Sequence, residues 1–183
     1  MISGNSDSVS HSRMMAFRDA LQSRSDVKSV SFSFDAPSSD NSWQSNFAFD
    51  IMEDKDFPVA LKMGDENYLK TYDIKLLAGR NYKRSDTATE YIINETMLKK
   101  VGLKTPQEAI GKMLRLGGSE PKPVIGVVKD FKLQSLKEAI SPIVLMPRTR
   151  FYSSTGIKLD SKNLAASKAA IEGIWNKFYP EYV

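Results

Sequence analysis

Hydrophobic positions recur every three to four residues near both ends of the chain, which is the period of an α-helix. Near the start, Met14, Phe17 and Leu21 lie on one stripe and predict a helix over residues 8–24. Near the end, a longer apolar stripe predicts a helix over residues 163–178. The chain is therefore predicted to open and close with an amphipathic helix.

Next to these two helices the sequence changes to alternation of apolar and polar residues, which is the pattern of a strand. Over residues 27–34 the large apolar side chains share one face, and serines occupy the other. Val27 falls out of this phase, so we assign it to the preceding turn. Residues 155–159 are predicted to form the strand before the last helix.

A hairpin is predicted in the first half of the chain. Residues 46–52 and 57–63 both alternate between apolar and polar positions, and the segment 54–56 between them has the composition of a turn. Residues 35–46 are rich in Asp, Ser, Asn and Pro. They are predicted to form a loop, in which Trp43 is the only large apolar residue.

The middle of the chain has a strand–helix–strand set of its own. Strands are predicted at residues 74–77, 91–93, 112–116 and 124–128, and helices at 65–72, 94–101 and 105–108. Residues 143–146 form a short apolar run between two prolines. Asn94 is suited to cap the second helix, and Gly102 is suited to end it. These elements predict an α+β fold, with an outer lobe built from both chain ends and an inner lobe inserted between them.

Composition and charge exclude two broad classes of protein. The chain has 183 residues, of which 41% are hydrophobic and 26% are charged, as in a globular domain rather than a disordered one. The formal net charge is +4, but the basic residues are scattered in short groups such as 83–84, 99–100 and 148–150. A nucleic-acid-binding protein clusters its basic residues, so no nucleic-acid partner is expected.

Cysteine and histidine are too scarce for most catalytic or metal sites. The chain has no cysteine, which excludes disulfides, thiolate ligands and a cysteine nucleophile. Its one histidine, His11, lies among serines, and no Gly-x-Ser-x-Gly motif supplies the nucleophile of a triad. We therefore expect His11 to be a surface residue rather than a catalytic base or a zinc ligand.

Acidic residues are the next candidates for chemistry. They form two groups: Asp50, Glu53, Asp54 and Asp56, then Asp65 and Glu66. Neither group has the spacing of a calcium-binding loop. A carboxylate pair for glycoside hydrolysis stays open, because its partners need not be close in sequence, although no cleft of aromatic residues accompanies the acids.

The glycine-rich stretch 111–118 fits the turn of a hairpin. It lacks the Gly-Lys-Ser/Thr of a phosphate loop, and no Walker motif occurs in the chain. ATP binding by this route is therefore not expected. Together these observations predict a protein that is not an enzyme and has no catalytic, cofactor-binding or metal-binding residues.

The two tryptophans suggest different roles. Trp175 lies on the apolar stripe of the last helix, which predicts a core residue. Trp43 lies in a polar segment, where an exposed aromatic side chain would be a contact site for a partner. The alternative for Trp43 is an anchor that folds back onto the domain.

Membrane-spanning and signal segments are not indicated. No apolar run approaches the roughly 18 residues that cross a bilayer. Residues 1–5 do not show the basic region and apolar core of a signal peptide. The sequence as it stands is therefore expected to be soluble.

Four short motifs occur in a fixed order between residues 26 and 147. They are DVKSVS at 26–31, YLKTYDIKLLAGR at 68–80, YIINET at 91–96 followed by AIGK at 109–112, and VIGVVKDF at 124–131 followed by SLKEAISP at 135–142. In order and spacing they resemble the extracytoplasmic domain of MacB/FtsX-type permeases of ABC transporters, particularly the copies found in Bacteroidetes-like bacteria.

The resemblance implies an architecture. Residues 1–63 and 132–183 would form a porter-like lobe of helices on a small sheet, and residues 64–131 would form an inserted α+β lobe. The residues agree with this resemblance: Gly79 is suited to turn the chain after a strand, and Gly126 lies in mid-strand, where its missing side chain lets a neighbouring backbone approach closely. One membrane helix would precede the domain and three would follow it.

The resemblance also implies a function on the periplasmic side of the bacterial inner membrane. The domain would couple ATP hydrolysis by a partner subunit to the movement or release of a substrate outside the membrane. Expected partners are the membrane helices of the full-length chain, the ABC ATPase, a second permease copy in a dimer, and a periplasmic adaptor or a lipid or peptide substrate. The alternative is a free-standing periplasmic ligand-binding or interaction module, which would need a ligand cleft.

Overall fold

The computed structural model of the chain describes residues 8–39, 43–51, 53–131, 140–160 and 162–182. The helices are α1 (Ser8–Gln22), α2 (Tyr68–Thr71), α3 (Glu95–Lys100) and α4 (Leu164–Phe178). The strands are β1 (Val27–Ser33), β2 (Trp43–Ser45), β3 (Phe47–Phe49), β4 (Val59–Met63), β5 (Leu76–Gly79), β6 (Tyr91–Asn94), β7 (Met113–Leu116), β8 (Lys122–Val128), β9 (Ile143–Met146) and β10 (Ser154–Leu159). Residues 1–5 and 135–139, which entered the sequence predictions above, lie outside the described residues.

Both chain ends meet in one layer. Strand β1 pairs antiparallel with β10, and α1 and α4 pack on the same face of this two-stranded sheet. The core of the layer contains Phe17 and Leu21 from α1, Val30 and Phe32 from β1, and Tyr179 after α4. The two predicted terminal helices and the strands next to them are therefore confirmed, and we call this part the chain-end layer.

The remaining strands form one curled sheet. Its order is β2-β4-β9-β6-β8-β7-β3, with β5 paired to β8. Strands β2 and β3, at opposite ends of this order, are separated along the chain by Asn46 alone. One segment thus pairs with β4 through its first half and with β7 through its second half, so the sheet curves round to meet itself.

The curled sheet is buried on both faces. Ile93 on β6 belongs to one hydrophobic cluster, which α3 covers, and its neighbour Ile92 belongs to the other, which contains Tyr68 and Leu69 of α2. Helix α2 lies between the curled sheet and the chain-end layer, because Thr71 also hydrogen-bonds Ser29 of β1 at 2.9 Å. The serine face of β1 is consequently buried as well.

Three predictions for the first half of the chain are wrong. The strands β3 and β4 do not pair as a hairpin, because β3 pairs with β7 and β4 pairs with β2 and β9. Trp43 begins the strand β2 rather than lying in a loop. Val27 belongs to β1, since a bulge between Val27 and Ser29 accounts for its loss of phase.

Local signals in the middle of the chain are confirmed. The Asn94 side chain caps α3 by accepting a hydrogen bond from Met97 N, and Gly102 follows the helix with a φ of 86°. Strands β7 and β8 form the predicted antiparallel hairpin. Gly126 lies where a Cβ atom would come within 2.6 Å of the Arg80 carbonyl oxygen, which is the close backbone approach expected for it.

The α+β class is confirmed by four helices and ten strands in the described residues. The lobe limits at 63/64 and 131/132 stay a prediction. The curled sheet contains strands from both sides of these limits, namely β2, β3, β4 and β9 outside them and β5 to β8 inside them. None of the helices in the described part of the chain is long and apolar enough to cross a membrane.

Candidate functional site

Of the residues weighed above for chemistry, His11, Asp65 and Glu66 line one small cleft, whereas Asp50 and Asp54 lie on another part of the surface. His11, at the start of α1, has its Nε2 atom 3.2 Å from an Arg84 guanidinium nitrogen and its Nδ1 atom 3.9 Å from Asp86. Asp50 and Asp54 form exposed ion pairs with Lys112 and Arg115 on β7 or just before it. Among the described residues, no three His, Cys, Asp or Glu side chains are arranged to hold a metal ion.

A heavily buried ionic group lies between α1, β1 and the segment before α2. The Arg18 guanidinium donates to the Asp65 carboxylate, and at 2.9 Å to Glu66. The side chains of Arg18 and Asp65 are only 7% and 5% exposed. The Arg18 guanidinium also lies 4.7 Å from the centre of the Phe32 ring, which is a cation–π distance. We call Arg18, Ser31, Phe32, Asp65 and Glu66 the junction.

Asp65 is the centre of the junction. Besides the Arg18 bond, it accepts hydrogen bonds from Ser31 Oγ at 2.7 Å, Phe32 N at 2.8 Å and Asn67 N at 3.0 Å. Burial raises the pKa of the Asp65 carboxyl, while the Phe32 hydrogen bond and the Arg18 charge oppose this shift. Four donors around one carboxyl group favour its ionised form, which can accept all of them.

Backbone bonds reinforce the junction. Asp65 N donates to Phe32 O at 2.9 Å, and Phe34 N donates to Met63 O at 2.9 Å. The end of β1 is thereby joined directly to the end of β4. The chain-end layer and the curled sheet are connected here by a short run of backbone bonds around one buried ion pair.

A small cleft opens on the outer side of the junction. Its lining contains Met14 and Met15 of α1 on one side, and Thr149 and Tyr152 on the other, with His11, Arg18, Asp65, Glu66, Arg84, Ser85 and Asp86 around them. The contacts across its rim are polar, as between His11 and Arg84. Burial raises the pKa of the Tyr152 hydroxyl, so it stays protonated over the physiological range.

A second buried ion pair holds the segment after β1 against the curled sheet. The Lys62 Nζ atom on β4 donates to Asp35 at 2.6 Å and to the Ala36 carbonyl oxygen at 3.3 Å. The Lys62 side chain is 0% exposed. Burial raises the pKa of the Asp35 carboxyl, and the hydrogen bond from Lys62 opposes that shift.

The tryptophans lie in different surroundings. Trp175 packs edge-on against Phe17 at 5.6 Å between ring centres and stacks on Tyr179 at 4.4 Å. It is half-buried against the core of the chain-end layer, which confirms the predicted core contact in part. Trp43 is 43% exposed and contacts the rings of Phe34 and Phe151. Trp43 thus rests on the domain and also faces solvent.

Sequence reasoning missed the junction, although one signal points to it. Arg18 lies four residues after Met14 and three before Leu21, so it falls on the apolar stripe of α1. A charged residue on a core-facing stripe needs a buried partner. Nothing in the sequence identifies Asp65 as that partner, because 47 residues separate the two.

Comparison with known proteins gives one family and one fold. A family profile described as "MacB-like periplasmic core domain" matches residues 3–174. No curated protein sequence matches the chain.

Two solved structures share the fold. The periplasmic region of MacB from Actinobacillus actinomycetemcomitans has a TM-score of 0.63 and 16% identity, over 91% of this chain and 74% of that one. The extracellular domain of the noncanonic ABC-type transporter YknZ from Gram-positive bacteria has a TM-score of 0.60 and 20% identity, over 91% of this chain and 82% of that one.

Proposed function

The chain belongs to the family of MacB-like periplasmic core domains of ABC-transporter permease-type proteins, and from this premise we propose that it is a mechanical coupling module. ATP hydrolysis by a partner ATPase changes the arrangement of the membrane helices of the full-length permease. Those helices shift the chain-end layer relative to the curled sheet. The shift moves or releases a substrate outside the inner membrane.

The junction is the observation that carries this proposal. It joins the chain-end layer to the curled sheet through the buried Arg18–Asp65 pair and a few backbone bonds, next to the Ser29–Thr71 hydrogen bond and the buried Lys62–Asp35 pair. Beside it, contacts such as that between His11 and Arg84 are polar and exposed, and such contacts are weak in water. A connection that is firm at one point and weak next to it is suited to hinge motion.

Partners follow from the same proposal. The ATPase acts from the other side of the membrane through the permease helices, and a second permease copy completes a dimer. A periplasmic adaptor, or a lipid or peptide substrate, binds on the periplasmic side of the membrane. In this proposal the ATPase catalyses the only chemical step, ATP hydrolysis, and this domain has no catalytic, cofactor or metal site of its own.

Side-specific labelling tests the location that this function requires. Because the chain has no cysteine, Lys99→Cys on the exposed end of α3 adds a single thiol to the domain. In intact cells with a permeabilised outer membrane, we expect a membrane-impermeant maleimide to label this thiol in the full-length protein, and the ABC ATPase to co-purify with it. Labelling only after the inner membrane is broken would contradict the proposal.

The matched control uses a buried position. Ile93→Cys lies on β6 in the core of the curled sheet, and Ile93 is 0% exposed. This thiol should react only after denaturation, whichever side of the membrane the domain occupies. A labelled Lys99→Cys beside an unlabelled Ile93→Cys therefore reports the side of the membrane and not partial unfolding.

A further inference from the structure

A cluster of aromatic rings and arginines lies where the curled sheet ends. Trp43 on β2 contacts Phe151 at 4.8 Å and Phe34 at 5.7 Å between ring centres. The Arg150 and Arg148 guanidinium groups lie 4.5 Å and 5.4 Å from the centre of the Phe151 ring. We call Phe34, Trp43, Arg148, Arg150 and Phe151 the aromatic–arginine patch.

The two arginines of the patch differ from most others in the chain. Ion pairs with carboxylates are formed by Arg13, Arg18, Arg24, Arg80 and Arg115. Over the described ranges, neither Arg148 nor Arg150 has a carboxylate within 4.0 Å of its guanidinium, and each is held over the Phe151 ring instead. A stacked guanidinium is oriented in advance and keeps its N–H groups available for an incoming carboxylate.

The strand beside the patch has an unused edge. Strand β2 pairs with β4 on one side, and it stands at the end of the strand order. Strand β7 does not continue alongside it, because on this side β7 pairs with Phe47–Phe49 of the following strand and not with β2. Among the described residues, the backbone of Trp43–Ser45 has no bonding partner other than β4. An unpaired edge is a template on which another strand can pair.

We propose that the aromatic–arginine patch and the outer edge of β2 bind an extended acidic segment of a partner protein. The backbone of that segment pairs with β2, its apolar side chains cover Trp43, and its carboxylates reach Arg148 and Arg150. Side chains two residues apart on an extended strand share one face, so a segment that carries both an apolar residue and carboxylates on the same face fits both features. This inference does not depend on the coupling function proposed above.

A protein segment fits these features better than an anionic membrane surface does. Lipid headgroups supply the negative charge, but they have no row of backbone N–H and C=O groups to pair with β2. Only an extended peptide uses the strand edge and the arginines together. A membrane surface is therefore the competing occupant, and the experiment has to separate the two.

Tryptophan fluorescence measures binding at the patch. In a Trp175→Phe background, Trp43 is the only tryptophan. The probe is a synthetic Glu-Val peptide with the repeat Glu-Glu-Val-Val, which places both kinds of side chain on each face of an extended strand. We expect it to change the Trp43 emission in a saturable way, whereas a Lys-Val peptide with the repeat Lys-Lys-Val-Val should not. A Glu-Val peptide with N-methylated backbone amides, which cannot pair with a strand edge, should bind at least about tenfold more weakly.

Variants locate the binding site. The double variant Arg148→Ala/Arg150→Ala should bind the Glu-Val peptide at least about tenfold more weakly, since two charged hydrogen-bond partners are lost. The matched control is Lys168→Ala with Lys177→Ala, which removes the same charge from the exposed side of α4 and should leave the affinity unchanged. Circular dichroism checks that both double variants are folded.

Four results would overturn the proposal. They are no saturable binding of the Glu-Val peptide, equal binding of the Lys-Val or N-methylated peptide, equal weakening by the α4 control, and arginine-dependent binding to phosphatidylglycerol vesicles without binding of the peptide. The last result would identify the patch as a membrane-contact surface.

Discussion

Replacing Arg18 by methionine should lower the free energy of unfolding by about 3–5 kcal/mol, the largest effect we expect from a single substitution outside the hydrophobic core. The change leaves the Asp65 carboxylate buried at 5% exposure without its counter-ion. Methionine keeps most of the apolar length of the side chain, so the loss is chiefly electrostatic. Urea unfolding, followed by tryptophan fluorescence, measures it.

Two companion variants separate charge from packing at the junction. Adding Asp65→Asn to Arg18→Met removes the stranded charge and keeps one acceptor oxygen, for either Ser31 Oγ or Phe32 N, so part of the stability should return. Arg13→Met, on the same helix, breaks an ion pair whose side chains are 41% and 47% exposed, and should cost less than about 1 kcal/mol. Equal losses in the free energy of unfolding for Arg18→Met and Arg13→Met would show that the buried ion pair stabilises the fold no more than an exposed one.

Asp35→Ala should have an effect of similar size, about 3–5 kcal/mol, because it leaves the fully buried ammonium of Lys62 without a carboxylate. The Ala36 carbonyl at 3.3 Å is then a remaining acceptor, and it carries no compensating charge. A further Lys62→Met change in the same chain removes the buried charge and should recover most of the loss. Thermal and urea unfolding of the single and double variants measure the loss of stability and its recovery.

The exposed pair of Asp50 and Lys112 supplies the control for this second prediction. Its side chains are 47% and 30% exposed, so Asp50→Ala should change stability by less than about 1 kcal/mol. If Asp35→Ala lowered the free energy of unfolding as little as Asp50→Ala does, the Lys62 ammonium would have to reach water. The pair would then not be buried as described.

Much of the fold could be predicted from local patterns. Residues near one another along the chain determine the helical stripe of α1, the cap at Asn94 and the turn between β7 and β8. Short-range signals of this kind are present in the sequence itself, and the structure has each of them where the sequence indicates. Gly126 is a partial exception: its mid-strand position indicates a close approach of another backbone, but only the tertiary structure identifies that neighbour as Arg80.

Strand pairing could not be predicted in the same way. The alternation in β3 and β4 correctly identified two strands, and their closeness in sequence suggested a hairpin. The structure pairs them instead with β7 and β9, which lie far along the chain. An apolar alternation specifies which face of a strand is buried, but it does not specify the neighbouring strand.

The candidate site was even less accessible from the sequence. Arg18 on the stripe of α1 signals a buried charge, whereas nothing in the sequence distinguishes Asp65 from the other acidic residues. Lys62 occupies the polar position of an alternating strand, and it became buried because the curled sheet is covered on both faces. These pairings depend on tertiary packing, which no local pattern contains.

Relative motion of the chain-end layer and the curled sheet is the central claim, and a distance measurement in the full-length permease tests it most directly. Spin labels at Asp19→Cys on α1 and Lys83→Cys beside the cleft report across the junction, and both positions are exposed. Labels at Lys99→Cys and Glu120→Cys, also exposed, report within the curled-sheet body. Pulsed electron–electron double resonance measures both distance distributions, first with the ATPase free of nucleotide and then with the ATPase trapped by ATP and vanadate.

We predict that the Asp19–Lys83 distribution shifts by several ångströms between the two states of the ATPase, while the Lys99–Glu120 distribution stays the same. An unchanged Asp19–Lys83 distribution, in a sample whose ATPase is active, would contradict the coupling function.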